Sequence, residues 1–280
     1  IDALNGNDTV SGGLGDDSII ANFGDDSVTG GDGNDTLSGN EGADYLDGGE
    51  GNDIIFGGQG AFDDTMIGGG GDDQVFIEDD FGTDIITGGE TGETAGDTVN
   101  ASFMTATGVT VVYTADEAGT ISDGTHTSTF GEIENFVLTG QADTLDATAD
   151  TAGVNVDTGA GNDTLTGGTG NDTLLGGAAA DTFLVNDGFG TDSIVGGDDY
   201  DTLDLSALSN PVTVLFSGPG AGTVTDTVTG DVITFSEIEQ LILTNNDDVV
   251  DATANNGYTY IQSRDGDDSL IGSPGNDIFD

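Results

Sequence analysis

Large apolar residues recur at a fixed interval in the first part of the chain. From Val10 to Ile55 one such residue stands at every ninth position, mostly between polar or small neighbours. Alternate side chains of a strand face opposite sides, so an isolated apolar residue between outward-facing neighbours is typical of a very short strand. The pattern therefore predicts a series of short strands, each of which turns one apolar side chain towards a common interior.

Glycine and aspartate fill the positions between these apolar residues. Residues 30–56 read GGDGNDTLS, GNEGADYLD and GGEGNDIIF, which is the unit G-G-x-G-x-D-x-U-x, where U is large and apolar. Glycine reaches positive φ at no steric cost, so these stretches predict tight turns. With two units in each revolution, residues 18 apart stack on the same edge. One edge would carry Asp8, Asp26 and Asp44, and the other Asp17, Asp35 and Asp53.

The predicted turns present two kinds of oxygen. A glycine-rich turn leaves backbone carbonyls bare, and the Asp at the sixth position adds a carboxylate beside them. Carboxylate and carbonyl oxygens are the ligands of Ca²⁺, which takes six to eight of them. One turn cannot supply that many, whereas two turns stacked in parallel can.

The nonapeptide unit resembles the calcium-binding repeat of RTX (hemolysin-type) proteins. This resemblance implies a parallel β-roll with a calcium ion between each stacked pair of turns. Carbonyl ligands are expected from turn residues such as Gly31, Gly33, Gly49, Gly51, Gly168 and Gly170. The side-chain ligands it implies are Asp8, Asp17, Asp26, Asp35, Asp44, Asp53, Asp64, Asp73, Asp84, Asp163, Asp172, Asp181, Asp192, Asp268 and Asp277.

Two alternatives are a disordered Gly/Asp-rich linker and a β-solenoid that needs no calcium. The strict spacing of Asp and apolar positions argues against the linker. Charge argues against the second alternative, since 54 acidic residues face one basic residue, Arg264, for a net charge of −53. Self-repulsion opposes a compact state, so we expect the compensating cations to come from solution.

The same composition limits the partners. Nucleic acid binding needs basic patches, and anionic membrane surfaces attract basic segments, so neither is expected. No apolar run is long enough to insert into a membrane, and cysteine is absent. Calcium ions are the expected partners, with neighbouring copies or other surface components as further candidates.

A longer period of about 105 residues encloses the nonapeptides. FGEIENFVLT at 130–139 recurs as FSEIEQLILT at 235–244, and GVTVVYT at 108–114 as PVTVLF at 211–216. We therefore predict an all-β fold: a right-handed parallel β-roll or β-solenoid interrupted by longer β segments that continue the coil. The predicted parts are a first array at 1–97, a β segment at 98–150, a second array at 151–201, a second β segment at 202–255 and the start of a third array at 256–280.

Catalytic residues are not evident. His126 is the only histidine and lies in a turn-like stretch, so we expect a solvated loop residue. The paired glutamates Glu132/Glu134 and Glu237/Glu239 could suggest glycoside hydrolysis, but a structural role without metal ligation is expected. Arg264, among many acidic neighbours, should form an ion pair. We therefore expect a protein that is not an enzyme.

The expected function is a calcium-dependent structural module of a secreted or cell-surface RTX protein, such as an adhesin, a surface layer or a filament. The alternative is a calcium-binding folding and secretion module of an exported enzyme or toxin whose catalytic domain lies elsewhere. The repeat pattern runs to the last residues, SPGNDIFD, which leads us to expect a segment of a longer array.

Overall fold

The computed structural model describes residues 1–89, 91–274 and 277–280, and these residues form strands and turns without any helix. None of this part of the chain could therefore cross a membrane as a helix. The chain divides into two compact units, Ile1–Gly140 and Gln141–Asp280. The prediction of an all-β fold is confirmed.

In the first unit the short strands alternate between two sheets, so that β1 pairs with β3 and β2 with β4, in parallel. One sheet has the order β1-β3-β5-β7-β9-β13-β12-β11, and the other β2-β4-β6-β8-β10-β14. The strands are β1 Thr9–Leu14, β2 Ser18–Phe23, β3 Ser27–Asp32, β4 Thr36–Glu41, β5 Tyr45–Glu50, β6 Ile54–Phe56, β7 Thr65–Gly70, β8 Gln74–Phe76, β9 Ile85–Thr87, β10 Thr98–Asn100, β11 Thr110–Ala115, β12 Ala118–Ser122, β13 Thr127–Gly131 and β14 Asn135–Val137.

Residues 18 apart stack in register, as predicted. Val28 pairs with Val10, and Leu37 pairs with Ile19. These apolar side chains form one buried column behind each sheet, and Val28 and Leu37 are fully buried. The two extra residues near Ala61 are absorbed in the loop before β7, where Leu46 pairs with Met66 and the coil continues.

The segment after β10 departs from the expected coil. Strands β11, β12 and β13 form an antiparallel meander, and β13 then pairs in parallel with β9. The chain reverses between β11 and β12 through only Asp116 and Glu117, and so tight a connection joins antiparallel strands. Tyr113 and Phe136 both pack edge-on against Phe130 at 5.0 Å, which fills the interior here.

The second unit repeats this arrangement. Its sheets have the orders β15-β17-β19-β21-β25-β27-β29 and β16-β18-β20-β24-β23-β22-β26-β28, with the antiparallel meander at β22–β24. The strands are β15 Thr144–Asp146, β16 Asn155–Asp157, β17 Thr164–Thr166, β18 Thr173–Ala178, β19 Thr182–Leu184, β20 Thr191–Asp198, β21 Thr202–Asp204, β22 Val212–Gly218, β23 Ala221–Asp226, β24 Val232–Ser236, β25 Gln240–Ile242, β26 Val249–Asp251, β27 Thr259–Gln262, β28 Ser269–Ile271 and β29 Asp277–Phe279.

The two EIE segments take equivalent places in the two units. Each lies between the last strand of a meander and the next strand of the coil, at β13–β14 and at β24–β25. The large apolar residues in and just after each segment are buried at both places: Ile133, Phe136 and Leu138, and Ile238, Leu241 and Leu243. Both units are thus parallel β-solenoids with one inserted meander. The five-part division by repeat content stays a prediction.

Candidate metal sites at the turn edges

Stacked aspartates form two ladders along the first unit. On one edge the backbone N–H of Asp8 donates to Oδ1 of Asp26 at 2.7 Å, and that of Asp26 to Asp44 at 2.8 Å. The ladder continues through Asp64 and Asp84, and Asp84 donates to Ser128 Oγ at 2.8 Å. The predicted alignment of every second Asp on one edge is confirmed.

The second edge repeats this geometry. The N–H of Asp17 donates to Oδ1 of Asp35 at 2.7 Å, and Asp35 donates to Asp53 at 2.7 Å. Asp73 and Asp97 follow, again at 2.7 Å. Oδ1 of each of Asp35, Asp53, Asp73 and Asp97 is therefore held by a backbone N–H of the preceding turn on this edge.

The second unit contains shorter ladders. Asp143, Asp163, Asp181 and Asp201 are linked in the same way at 2.7 to 2.8 Å. On the other edge the N–H of Val154 donates to Asp172 and that of Asp172 to Asp192, whereas Asp248 donates to Asp268.

The other carboxylate oxygen of many ladder members lacks a hydrogen-bond partner. It is a buried Oδ2, and the described residues concerned are Asp8, Asp17, Asp26, Asp35, Asp44, Asp53, Asp73, Asp97, Asp163, Asp181 and Asp201. A buried acceptor without a donor costs about 1–3 kcal/mol, more when it is charged. Such a row of unsatisfied anionic oxygens calls for a positive partner.

Backbone carbonyls share the space around these oxygens. A Cβ added to Gly30 would clash with both Asp35 Oδ2 and the carbonyl oxygen of Gly48 in the next turn. The same two contacts, an Asp Oδ2 and a carbonyl of the next turn, surround Gly12, Gly39, Gly48 and Gly176. Both oxygens are acceptors, so the group that fits between them is a proton or a cation and not a further acceptor. The residues present therefore fit Ca²⁺ held by Asp carboxylates and turn carbonyls.

The pKa values of the ladder carboxyls are consistent with this fit. Burial raises the pKa of Asp44 and Asp53 to about 6, and that of Asp73 to about 7. In the second unit burial raises the pKa of Asp181 and Asp192 to about 7. Backbone N–H donors oppose this rise in pKa, while neighbouring carboxylates add to it. Without a cation these groups would keep their protons to a higher pH than an exposed aspartate does, because burial disfavours the charged form.

The predicted carbonyl ligands lie against the next turn. The carbonyls of Gly31, Gly33 and Gly51 face Gly49, Gly51 and Gly71 respectively. Those of Gly49 and Gly170 face Gly69 and Gly190, while Gly168 donates its N–H to Asp172 Oδ2 at 2.9 Å. The carbonyl beside Asp Oδ2 belongs instead to the first glycine of the pair, such as Gly48, which sequence reasoning did not name.

Six predicted ligands are not among the residues with a buried unpartnered oxygen: Asp64, Asp84, Asp172, Asp192, Asp268 and Asp277. Asp172 accepts N–H donors on both oxygens, from Val154 and Gly168. Asp277 accepts the N–H of Ser273 at 2.6 Å. Ligation by all fifteen aspartates therefore stays a prediction, and these positions carry less structural support.

Several ladder members were not predicted. Asp97, Asp143, Asp201 and Asp248 continue the ladders outside the regular nonapeptides. Each is followed two positions later by a buried apolar residue, as in Asp97-Thr98-Val99. This D-x-U triplet is the signal that could have found them without the glycines.

His126 and Arg264 have surroundings that differ from those expected from the sequence. His126 is partly buried between carboxylates, with Nδ1 3.2 Å from Asp123 Oδ2 and Nε2 3.6 Å from Asp80 Oδ1, because the loop folds back on Phe81. Arg264 donates from Nε to Asn245 Oδ1 at 3.1 Å. Among the described residues the salt bridges involve only His126, so the ion pair expected for Arg264 is not formed there.

Comparison with known proteins agrees with the site chemistry. A family profile described as RTX calcium-binding nonapeptide repeat (4 copies) matches residues 2–37, 29–61, 60–79, 157–191 and 253–280, about half of the chain. A search of curated proteins gives no match. The matched ranges carry most of the ladders described above, and the expected ion of these repeats is calcium. The chain therefore belongs to the RTX family of calcium-binding nonapeptide repeat proteins.

Proposed function

We propose that this chain is a calcium-dependent folding module of an extracellular or cell-surface scaffold protein, with the ladder aspartates as its ligands. One observation carries the proposal: buried Asp Oδ2 atoms without a hydrogen-bond partner face backbone carbonyls of the next turn. Each ion would join two successive turns, so ion binding and coil formation become one process.

The energetic balance of the metal-free chain supports this role. Each turn contributes one short strand and a single buried apolar residue, such as Leu37 or Ile55. That is little apolar burial to set against the conformational entropy of many glycine-rich turns. A net charge of −53 adds repulsion that no internal cation offsets. Calcium supplies the missing positive charge, and it gives each buried Oδ2 the partner that it lacks.

Repetition at the level of the units favours the scaffold role. Both units combine stacked turns with one antiparallel meander that rejoins the coil in parallel. In a solenoid each repeat contacts mainly its neighbours, so such units can be added in series to extend a structure. An extracellular setting would supply the calcium that such turns need, since extracellular calcium modules bind in the range of about 10⁻⁴–10⁻³ M.

The calcium concentration at which the chain becomes protected from protease tests this proposal. We expect rapid cleavage at submicromolar calcium and protection with a midpoint near the extracellular range of about 10⁻⁴–10⁻³ M. Magnesium at equal concentration is the control and should not protect, because it demands a small octahedral site and dehydrates reluctantly. Protection already complete at submicromolar calcium, or equal protection by magnesium, would contradict the proposal.

A further inference from the structure

The second ladder of the first unit ends on a glutamate. Asp97 follows Asp73 in that ladder, and its own N–H donates to Oε2 of Glu134 at 2.6 Å. Glu134 comes directly before β14, outside any nonapeptide and outside the matched repeat ranges. A side chain of the EIE segment thus takes the place that the next Asp occupies elsewhere in the ladder.

A third carboxylate joins them from a long turn. Glu93, Asp97 and Glu134 each offer an oxygen, and these three oxygens lie within 4.8 Å of one another. Oxygens around one Ca²⁺, at 2.3–2.6 Å from the ion, are separated by up to about 5 Å, so one ion can contact all three.

A buried oxygen points to a ligand at this place independently of the cluster. Asp97 is only 1% exposed, and its Oδ2 has no hydrogen-bond partner. A Cβ added to Gly88 would clash with that Oδ2 and with the carbonyl oxygen of Glu132. The same pairing of Asp Oδ2 with a carbonyl surrounds Gly30 in the nonapeptide array. Here, however, the carbonyl comes from the EIE segment.

We propose that Glu93, Asp97 and Glu134, with the carbonyl oxygen of Glu132, form a Ca²⁺ site at the junction of the array and the meander. Three carboxylates bring strong negative charge into a partly buried place that contains no basic side chain of this chain, since Arg264 and His126 lie elsewhere. The ion would join the long turn that contains Glu93 to the start of β14, at the end of the ladder.

The second unit supplies an internal comparison. Asp201 donates its N–H to Oε2 of Glu239 at 3.0 Å, and the carbonyl of Glu237 lies beside Asp201 Oδ2 at Gly196. The turn before Asp201 is shorter, GGDDYD instead of GGETGETAGD, and has no residue in the place of Glu93. Among the described residues, only the first unit has three metal-ligating side chains gathered this closely. The longer turn is therefore what completes the site.

The test counts bound calcium ions on the whole chain by native mass spectrometry and measures their affinities by calorimetry. Glu93→Gln/Glu134→Gln should bind one ion fewer than the wild type at saturating calcium. The matched control Glu41→Gln/Glu50→Gln removes two equal charges from exposed glutamates of the same unit and should keep the wild-type ion count. A double variant at 93 and 134 with the same ion count and affinities as this control would overturn the proposal.

A single variant covers the case in which the double variant does not fold. Glu93→Gln leaves the Glu134–Asp97 hydrogen bond in place, and should weaken one site at least tenfold or lose that ion. If Glu93→Gln binds calcium as the wild type does, the junction site does not exist as proposed. The proposed function is tested separately by folding of the wild type on calcium addition, so either can fail alone.

Discussion

At the scale of the residue, the two oxygens of a ladder aspartate have different roles. Oδ1 accepts the N–H of the preceding turn and so fixes the carboxylate, as in Asp17 to Asp35 at 2.7 Å. Oδ2 of Asp35 is buried without a hydrogen-bond partner and faces the carbonyl of Gly48. The backbone thereby orients a charge that only a cation or a proton can satisfy.

Asp35→Asn should weaken calcium binding at the sites on both sides of its turn. The amide keeps an acceptor for Asp17 but places a neutral group where Oδ2 stood. We expect the calcium midpoint of folding to rise about tenfold, which corresponds to ~1.4 kcal/mol. Asp32→Asn, an exposed aspartate of the same turn, is the matched control and should change the midpoint little. A calorimetric titration that loses one independent site and leaves all others unchanged would contradict the shared-ion geometry.

Gly30→Ala tests the space between the carboxylate and the carbonyl. The φ of Gly30 is not positive, so the added methyl group strains the contacts and not the backbone. Overpacking should cost about 1–3 kcal/mol of unfolding free energy in saturating calcium. Gly131→Ala is the control, because a Cβ there meets no atom within 4 Å. Equal stability of the two variants in a urea titration would show that the space beside Asp35 is not constrained.

The sequence predicted the regularly spaced ladder aspartates better than the irregularly spaced ladder members. A spacing of nine identified Asp17, Asp35 and Asp53, since each stands in a recognisable glycine turn. Asp97 was missed because 24 residues separate it from Asp73 and its turn lacks the paired glycines directly before it. Glu134 could not be predicted as a ladder member, because its hydrogen bond to Asp97 depends on how the meander returns to the coil.

At the scale of the element, each strand of the regular array from β2 to β8 contributes one large buried residue to a continuous apolar column. Leu37 lies between Ile19 and Ile55 on neighbouring strands, in parallel register. This stacking followed from the spacing alone. The antiparallel meanders did not, since alternation predicts strands but not their partners. Short connections such as Asp116–Glu117 determine those partners.

Leu37→Ala should cost about 2–5 kcal/mol of unfolding free energy, the range for a buried leucine. Leu37 is fully buried, whereas Leu14, the control position, is 83% exposed and should tolerate alanine. Because each turn contacts mainly its neighbours, hydrogen exchange in Leu37→Ala should accelerate first in β2, β4 and β6. Uniform acceleration over the whole first unit would indicate a cooperative block instead of a nearest-neighbour coil.

At the scale of the whole molecule, charge and burial act together. The chain has 54 acidic residues and folds so that many are buried along turn edges. Burial raises the pKa of Asp97 to about 8 and that of Asp64 and Asp84 to about 7. In the metal-free state these groups bind protons more tightly when folded than when unfolded, where their pKa is near 3.8.

Stability of the metal-free fold should therefore fall as pH rises. Unfolding free energy decreases with pH wherever the folded state holds more protons, here between about pH 4 and pH 8. We expect calcium-depleted chain to gain β structure near pH 5 and to lose it by pH 8, as followed by circular dichroism. In the presence of calcium the stability of the fold should instead rise with pH, because protons compete with the ion for the carboxylates. A metal-free chain that gains structure as pH rises would contradict this assignment of the buried carboxyls.

Circular dichroism at neutral pH, first with a calcium chelator and then with calcium at about 1 mM, tests the central claim most directly. Among the described residues no ladder aspartate forms a salt bridge, so the chelated chain should give the spectrum of a coil. Added calcium should convert it to a β spectrum, and renewed chelation should reverse the change. Equal β content with and without calcium would show that the solenoid folds without the ion and that the turn edges have another purpose.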